Sequence, residues 1–97
     1  MNILTDNELN KVCSLIKETI EDKASNLTSI TCIDVSYKFD YNENCYQFIT
    51  KLNGNIYYDS DQYLYIKHDD VNSFIAFIPL YIDKLLYSYS IGYILTI

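Results

Sequence analysis

The chain has 97 residues, 49% of them apolar and 21% charged, with 13 acidic and 7 basic side chains and a formal charge of −6. At ~100–200 residues per domain this length supplies one core, and the composition is that of a globular chain rather than a disordered or fibrous one. A negative balance with no Arg and no Trp excludes the basic footprint that DNA, RNA or an anionic membrane would need.

Leu4-Thr5-Asp6-Asn7-Glu8-Leu9 reads as a helix start. Thr5 can cap the amide three residues on, Glu8 can reach back, and Leu4 and Leu9 occupy the staple positions. Leu9, Val12, Cys13, Ile16 and Ile20 then recur at helical spacing. The pattern predicts a helix over 6–24.

From Ile30 the period changes to two. Ile33, Val35, Tyr37, Phe39 and Tyr41 alternate with Cys32, Asp34, Ser36, Lys38 and Asp40, as in a half-buried antiparallel strand. Asn42-Glu43-Asn44 is a turn. A second strand over 45–52 places Tyr46, Phe48 and Thr50 on one face and Gln47, Ile49 and Lys51 on the other.

Asn53-Gly54 is a hairpin signal with two registers. A two-residue turn pairs Leu52 with Asn55 and sets Phe48 opposite Asp59. A glycine bulge pairs Phe48 with Tyr58 and Thr50 with Ile56. The bulge keeps apolar residues together, so a bulged hairpin with a third strand over about 55–59 is expected. Gln62 to His68 is a fourth strand, or the third continued past a bulge, with Leu64 and Ile66 inward.

Asp69 or Asp70 caps a second helix. Val71, Phe74, Ile75, Ile78, Ile82, Leu85, Leu86 and Tyr89 keep the 3.6 period, and Pro79 should kink or split it. Gly92 is a stop signal, and 93–97 reads as a short strand or a packed tail. The expected fold is α+β: one antiparallel sheet of three to five strands with two helices on one face, in a single compact domain over 1–97, in the order α-β-β-β-(β)-α. Double-stranded-RNA-binding domains share that order, but this chain lacks their basic surface.

No cofactor is expected. The two glycines cannot build a phosphate loop, and no serine sits in a nucleophile elbow. Asp59-x-Asp61 superficially resembles a calcium loop, but Leu64 stands where that loop needs Gly. His68-Asp69-Asp70 is the only His-carboxylate run, and no second His completes a metal site. Cys13, Cys32 and Cys45 are an odd, widely spaced set, expected as free thiols of a reducing compartment. The N-terminus has no signal peptide, and the uncharged runs 71–82 and 85–97 fall short of the ~18 residues that span a bilayer. A non-enzymatic, cytoplasmic protein is expected.

Tyr, Ile, Asn and Lys supply 41 of the 97 residues, the bias of an AT-rich coding sequence, so the abundance of Tyr by itself says little. Placement says more. Tyr37, Tyr41, Tyr46 and Tyr58 fall on expected inward faces, whereas Tyr57, Tyr63 and Tyr65 fall on outward ones. Asp34 and Asp40 share the polar face of the first strand, Glu43 follows in the turn, and Asp59 and Asp61 lie on the loop before the fourth. Carboxylates in a row beside exposed rings could imitate a phosphate backbone to a basic groove. The candidate partner-binding set is therefore Asp34, Asp40, Glu43, Asp59, Asp61, Tyr57, Tyr63 and Tyr65.

A compact acidic chain with this element order resembles small phage-encoded anti-CRISPR inhibitors. The resemblance is one of size, charge and element order, with no shared motif. It implies a viral inhibitor acting in the host cytoplasm on a basic nucleic-acid-binding defence protein. An immunity protein or antitoxin against a basic nuclease is the alternative reading. A third is a homo-oligomeric structural or accessory protein, a homodimer through the apolar C-terminal segment.

Overall fold

The computed structural model describes residues 5–42, 45–57, 64–67 and 71–92, with side chains for all of these except 45, 64–67 and 71–74. The protein is of the α+β class. Its elements are α1 (Asp6–Lys23), β1 (Ile33–Asp40), β2 (Cys45–Leu52), β3 (Leu64–Lys67) and α2 (Val71–Ser90).

The capping box that opens α1 forms as its sequence implies. The Glu8 N–H donates to Thr5 Oγ1 at 3.2 Å, and Glu8 Oε1 accepts the Thr5 N–H at 3.1 Å. Asp6 and Glu8 also face the positive end of the helix dipole. Leu9, Val12, Ile16 and Ile20 are buried along one stripe, and Ala24 caps the far end.

β1 and β2 pair antiparallel along their full length, Ile33 opposite Leu52 through Asp40 opposite Cys45. β2 pairs on its other edge with β3, Cys45 opposite Lys67 through Phe48 opposite Leu64. This register sets Leu64 and Ile66 in the rows of Phe48 and Tyr46. Phe48, Thr50 and Leu52 are fully buried, and Ile33, Val35 and Tyr37 pack partly against the same cluster. The opposite side of that cluster comes from α1 and from Ile78, Tyr81, Ile82 and Leu85 of α2. Burying one such side chain contributes about 1.5–3 kcal/mol, so this interior ties α1, β1, β2 and α2 together.

The hairpin after β2 corrects the expected bulge. Leu52 and Asn55 exchange both backbone hydrogen bonds, at 2.9 and 3.0 Å, which closes a two-residue turn. Asn53 and Gly54 both take positive φ, +52° and +82°, as a type I′ turn requires. The face problem that favoured a bulge is solved further along the chain. From Leu52 back to Phe48 is four positions, whereas from Asn55 on to Leu64 is nine. Five surplus residues, an odd number, turn the returning chain over and bring Leu64 opposite Phe48. Residues 58–63 lie outside the described residues, and with them the expected pairing of Phe48 with Tyr58.

α2 runs unbroken through Pro79, so the expected split does not occur. The proline ring removes the N–H that would bond the Ile75 carbonyl. Ile78, Tyr81 and Ile82 bury the opposite side, and Pro79 sits on the exposed side, where water can serve that carbonyl. Gly92, at φ +72°, stops the helix and donates its N–H to the Tyr89 carbonyl at 3.1 Å. Lys23 Nζ and Asp83 Oδ1 tie the helices at 2.9 Å. Both groups are exposed enough to keep that pair within ~1 kcal/mol. The aspartates expected to cap α2, Asp69 and Asp70, and the tail 93–97 lie outside the described residues.

Candidate functional site

The expected carboxylate row on β1 does not form. Asp34 and Asp40 are exposed and half-buried respectively, six residues apart, or about 20 Å along the strand. Exposed Lys38 stands between them on the same face, and Asp34 lies directly across from Lys51. Opposite charges alternate on this face, as cross-strand stability favours, so it presents no uniform negative field. Gln47 in the middle of β2 is buried, and its backbone register partners are Lys38 in β1 and Tyr65 in β3.

The tyrosines also redistribute. Tyr57, expected outward, is 7% exposed and lies in the core. Its ring packs on Tyr89 with centroids 5.2 Å apart. The cause is the two-residue turn: extending the Leu52–Asn55 pairing by two positions brings Tyr57 opposite Thr50, on the buried face. A one-residue difference in register exchanges the roles of neighbouring side chains. Tyr41, expected inward, is 87% exposed. It follows the last residue of β1, where the chain turns beyond the layer that the helices cover. Tyr37 and Tyr46 hold their expected positions, half-buried against the core. Tyr65 is placed by its backbone opposite Gln47 in β3. Glu43, Asp59, Asp61 and Tyr63 lie outside the described residues.

One end of the molecule thereby gathers rings and carboxylates. The Tyr41 ring stands edge-on to Phe39 at 4.8 Å, and Phe39 in turn meets Tyr46 at 5.1 Å. Such edge-to-face pairs hold an exposed ring in one orientation. Asp40 Oδ1 accepts the Asn42 N–H at 2.9 Å and shapes the turn beside it. Two residues before Phe39 and on its face, the Tyr37 hydroxyl donates to Asp6 Oδ1 at 3.3 Å, which brings the start of α1 against β1. Burial, and then the Asp6 charge, push the Tyr37 phenol above the ordinary tyrosine range. Asp6 and Glu8 belong to the start of α1, and Asp40 and Tyr41 to the end of β1. Asp6 and Glu8 were legible as helix-capping residues but not as neighbours of β1, since that contact spans 31 residues.

Chemistry of other kinds finds little support among the described residues. No group of three or more His, Cys, Asp or Glu side chains gathers as metal ligands. An open groove of about 740 Å³ along α1 is lined by Glu8, Lys11, Leu15, Glu18 and, from α2, Ile75, with no converging acid and base. Burial pushes the Cys13 thiol up to about 11, away from thiolate reactivity. No described helix is long and apolar enough to cross a membrane. Comparison with protein-family models, with curated proteins and with solved structures finds no match to this chain, so fold and side-chain geometry carry the functional reading.

Proposed function

We propose that this chain is a small acidic binding protein that blocks a basic partner, in the manner of a viral inhibitor of a nucleic-acid-binding host defence protein. Its scaffold is an α+β domain whose sheet of three to five strands carries both helices on one face. The observation that supports the reading is Tyr41: a large ring, 87% exposed, held edge-on by Phe39 and directly following Asp40 on a chain of formal charge −6. A rigid aromatic anchor within a negative rim suits a Lys- or Arg-rich surface, the ring supplying area and the carboxylates steering the encounter. Asp6, Glu8 and Tyr41 join Asp40 of the expected set in this role, in place of Asp34 and Tyr57. Neutralisation of a basic nuclease toxin uses the same chemistry with another partner.

A pull-down from host lysate with a salt titration tests the reading. A basic nucleic-acid-binding partner, released as salt rises and competed off by DNA or RNA, supports it. An acidic partner, or binding indifferent to salt, overturns it.

A second reading, self-association through α2, is favoured by its exposed Phe77, Leu80, Tyr87 and Ile91, which line one side of the helix. Sedimentation decides it: association that Leu80→Glu abolishes supports a homodimer, and a monomer at every concentration rejects it.

A further inference from the structure

Asn53-Gly54 is the only Asn-Gly pair in the chain. Glycine, with no side chain, leaves its own amide nitrogen unshielded, and that nitrogen can attack the side chain of the preceding asparagine. The Gly54 N–H loses its proton to solvent base, and its nitrogen bonds to Asn53 Cγ. The Cγ–Nδ2 bond breaks, and Nδ2 departs as ammonia with a proton from water. Water then opens the resulting succinimide at one of its two imide C–N bonds. Cleavage at Cγ leaves aspartate, and cleavage at the main-chain carbonyl leaves an isoaspartyl link. The balance is one amide and one water converted to one carboxylate and one ammonium, with no oxidant or reductant.

The fold holds the reacting group away from that path. Asn53 Oδ1 accepts the Thr31 N–H at 2.9 Å, the Thr31 hydroxyl at 3.1 Å and the Cys32 N–H at 3.1 Å. Nδ2 donates to the Ser29 carbonyl at 2.8 Å, and the Asn53 N–H donates to the Cys32 carbonyl at 2.8 Å. The Leu52–Asn55 bonds pin the backbone on both sides of the turn. To meet the Gly54 nitrogen, the side chain must release four hydrogen bonds and swing away from the α1–β1 connection.

We propose that Asn53 is the deamidation site of this protein and that the clasp to residues 29–32 is its safety catch. A folded chain keeps Asn53, and a chain whose clasp opens converts and cannot reclose as before. Aspartate at this position has no donor for the Ser29 carbonyl and sets oxygen against oxygen where a 2.8 Å bond stood. An isoaspartyl link lengthens a two-residue turn and breaks the Leu52–Asn55 pair. The reaction is thus an irreversible record of local opening, and it takes the formal charge from −6 to −7.

The test follows the mass gain of deamidation in the peptide from Leu52 to Lys67, released by cleavage after Lys51 and Lys67. Wild-type protein is incubated in mildly alkaline buffer, folded or unfolded in urea, alongside folded Thr31→Ala, which lacks the hydroxyl bond to Oδ1 but keeps the backbone ones. The unfolded chain is expected to convert at Asn53 at least about tenfold faster than the folded one, the factor that ~1.4 kcal/mol of closure confers. Folded Thr31→Ala, its fold checked by circular dichroism, should fall between them. Equal rates in the folded and unfolded chain, conversion elsewhere than Asn53, or a Thr31→Ala rate equal to wild type would each overturn the proposal.

Discussion

The two ends of β2 are built in opposite ways. At its C-terminal end, Leu52 is fully buried and Asn53 spends its whole side chain on bonds to the α1–β1 connection. At its N-terminal end the incoming turn follows Tyr41, which stands almost free in solvent on a ring-to-ring contact with Phe39. One end is closed by hydrogen bonds that the fold needs. The other presents apolar surface that the fold does not use. The difference separates what stabilises this protein from what it can offer to another molecule.

The largest way to break that contrast is Leu52→Ala. Removing a fully buried leucine should cost about 2–5 kcal/mol by urea denaturation, whereas Tyr41→Ala should stay within about 0.5 kcal/mol of wild type. Equal losses at the two positions would erase the distinction. Next comes Asn53→Ala, expected to cost about 2–3 kcal/mol, because it strands the Thr31 and Cys32 donors and puts a β-carbon residue at positive φ without compensation. Asn53→Gly relieves the backbone but not the lost bonds, so its loss should be smaller, and the gap between the two measures the strain. In a partner-binding assay the order reverses. Tyr41→Ala should weaken binding by about 2 kcal/mol, as a central aromatic anchor does, while Asp34→Asn, opposite Lys51, should change it little.

The smallest expected effects are ionisations. Cys13 titrates near 11 in the folded chain instead of 9.0, so folding favours its neutral thiol. That contribution is whole below pH 9 and is lost as pH rises through 11. Tyr37, raised in the same direction, behaves alike at the alkaline end. Alkylation at neutral pH should mark exposed Cys32 well before Cys13, as peptide mapping would show. Asp6→Asn should let Tyr37 ionise at lower pH, which ultraviolet titration would detect. An unmoved phenol would mean that Asp6 does not govern the open end of the sheet.

Much of the scaffold was legible before any coordinates. The box Thr5-x-x-Glu8 and the stripe Leu9, Val12, Ile16, Ile20 define α1, because caps and 3.6-residue periods act within a few residues of chain. The alternation in β1 and the bounds of β2 followed from the two-residue period in the same way. The candidate surface was less legible. Whether Tyr57 is core or surface depends on one step of register, and that step was decided by the two-residue turn at Asn53-Gly54. Tyr41 continues the inward alternation of β1, yet it lies one residue past the end of that strand and is exposed. The carboxylate row failed for a similar reason: Asp34 meets Lys51 only across strands.

What the sequence alone determined, then, was the α+β class, the capped first helix, two strands and an acidic net charge, since each rests on local period and composition. The tertiary structure decided which side of the turn is buried, how a proline survives inside α2, and which strand residue, Tyr37, meets Asp6 at the start of α1. Those outcomes depend on packing between distant segments, where one residue of register or one covering helix reverses the fate of a side chain.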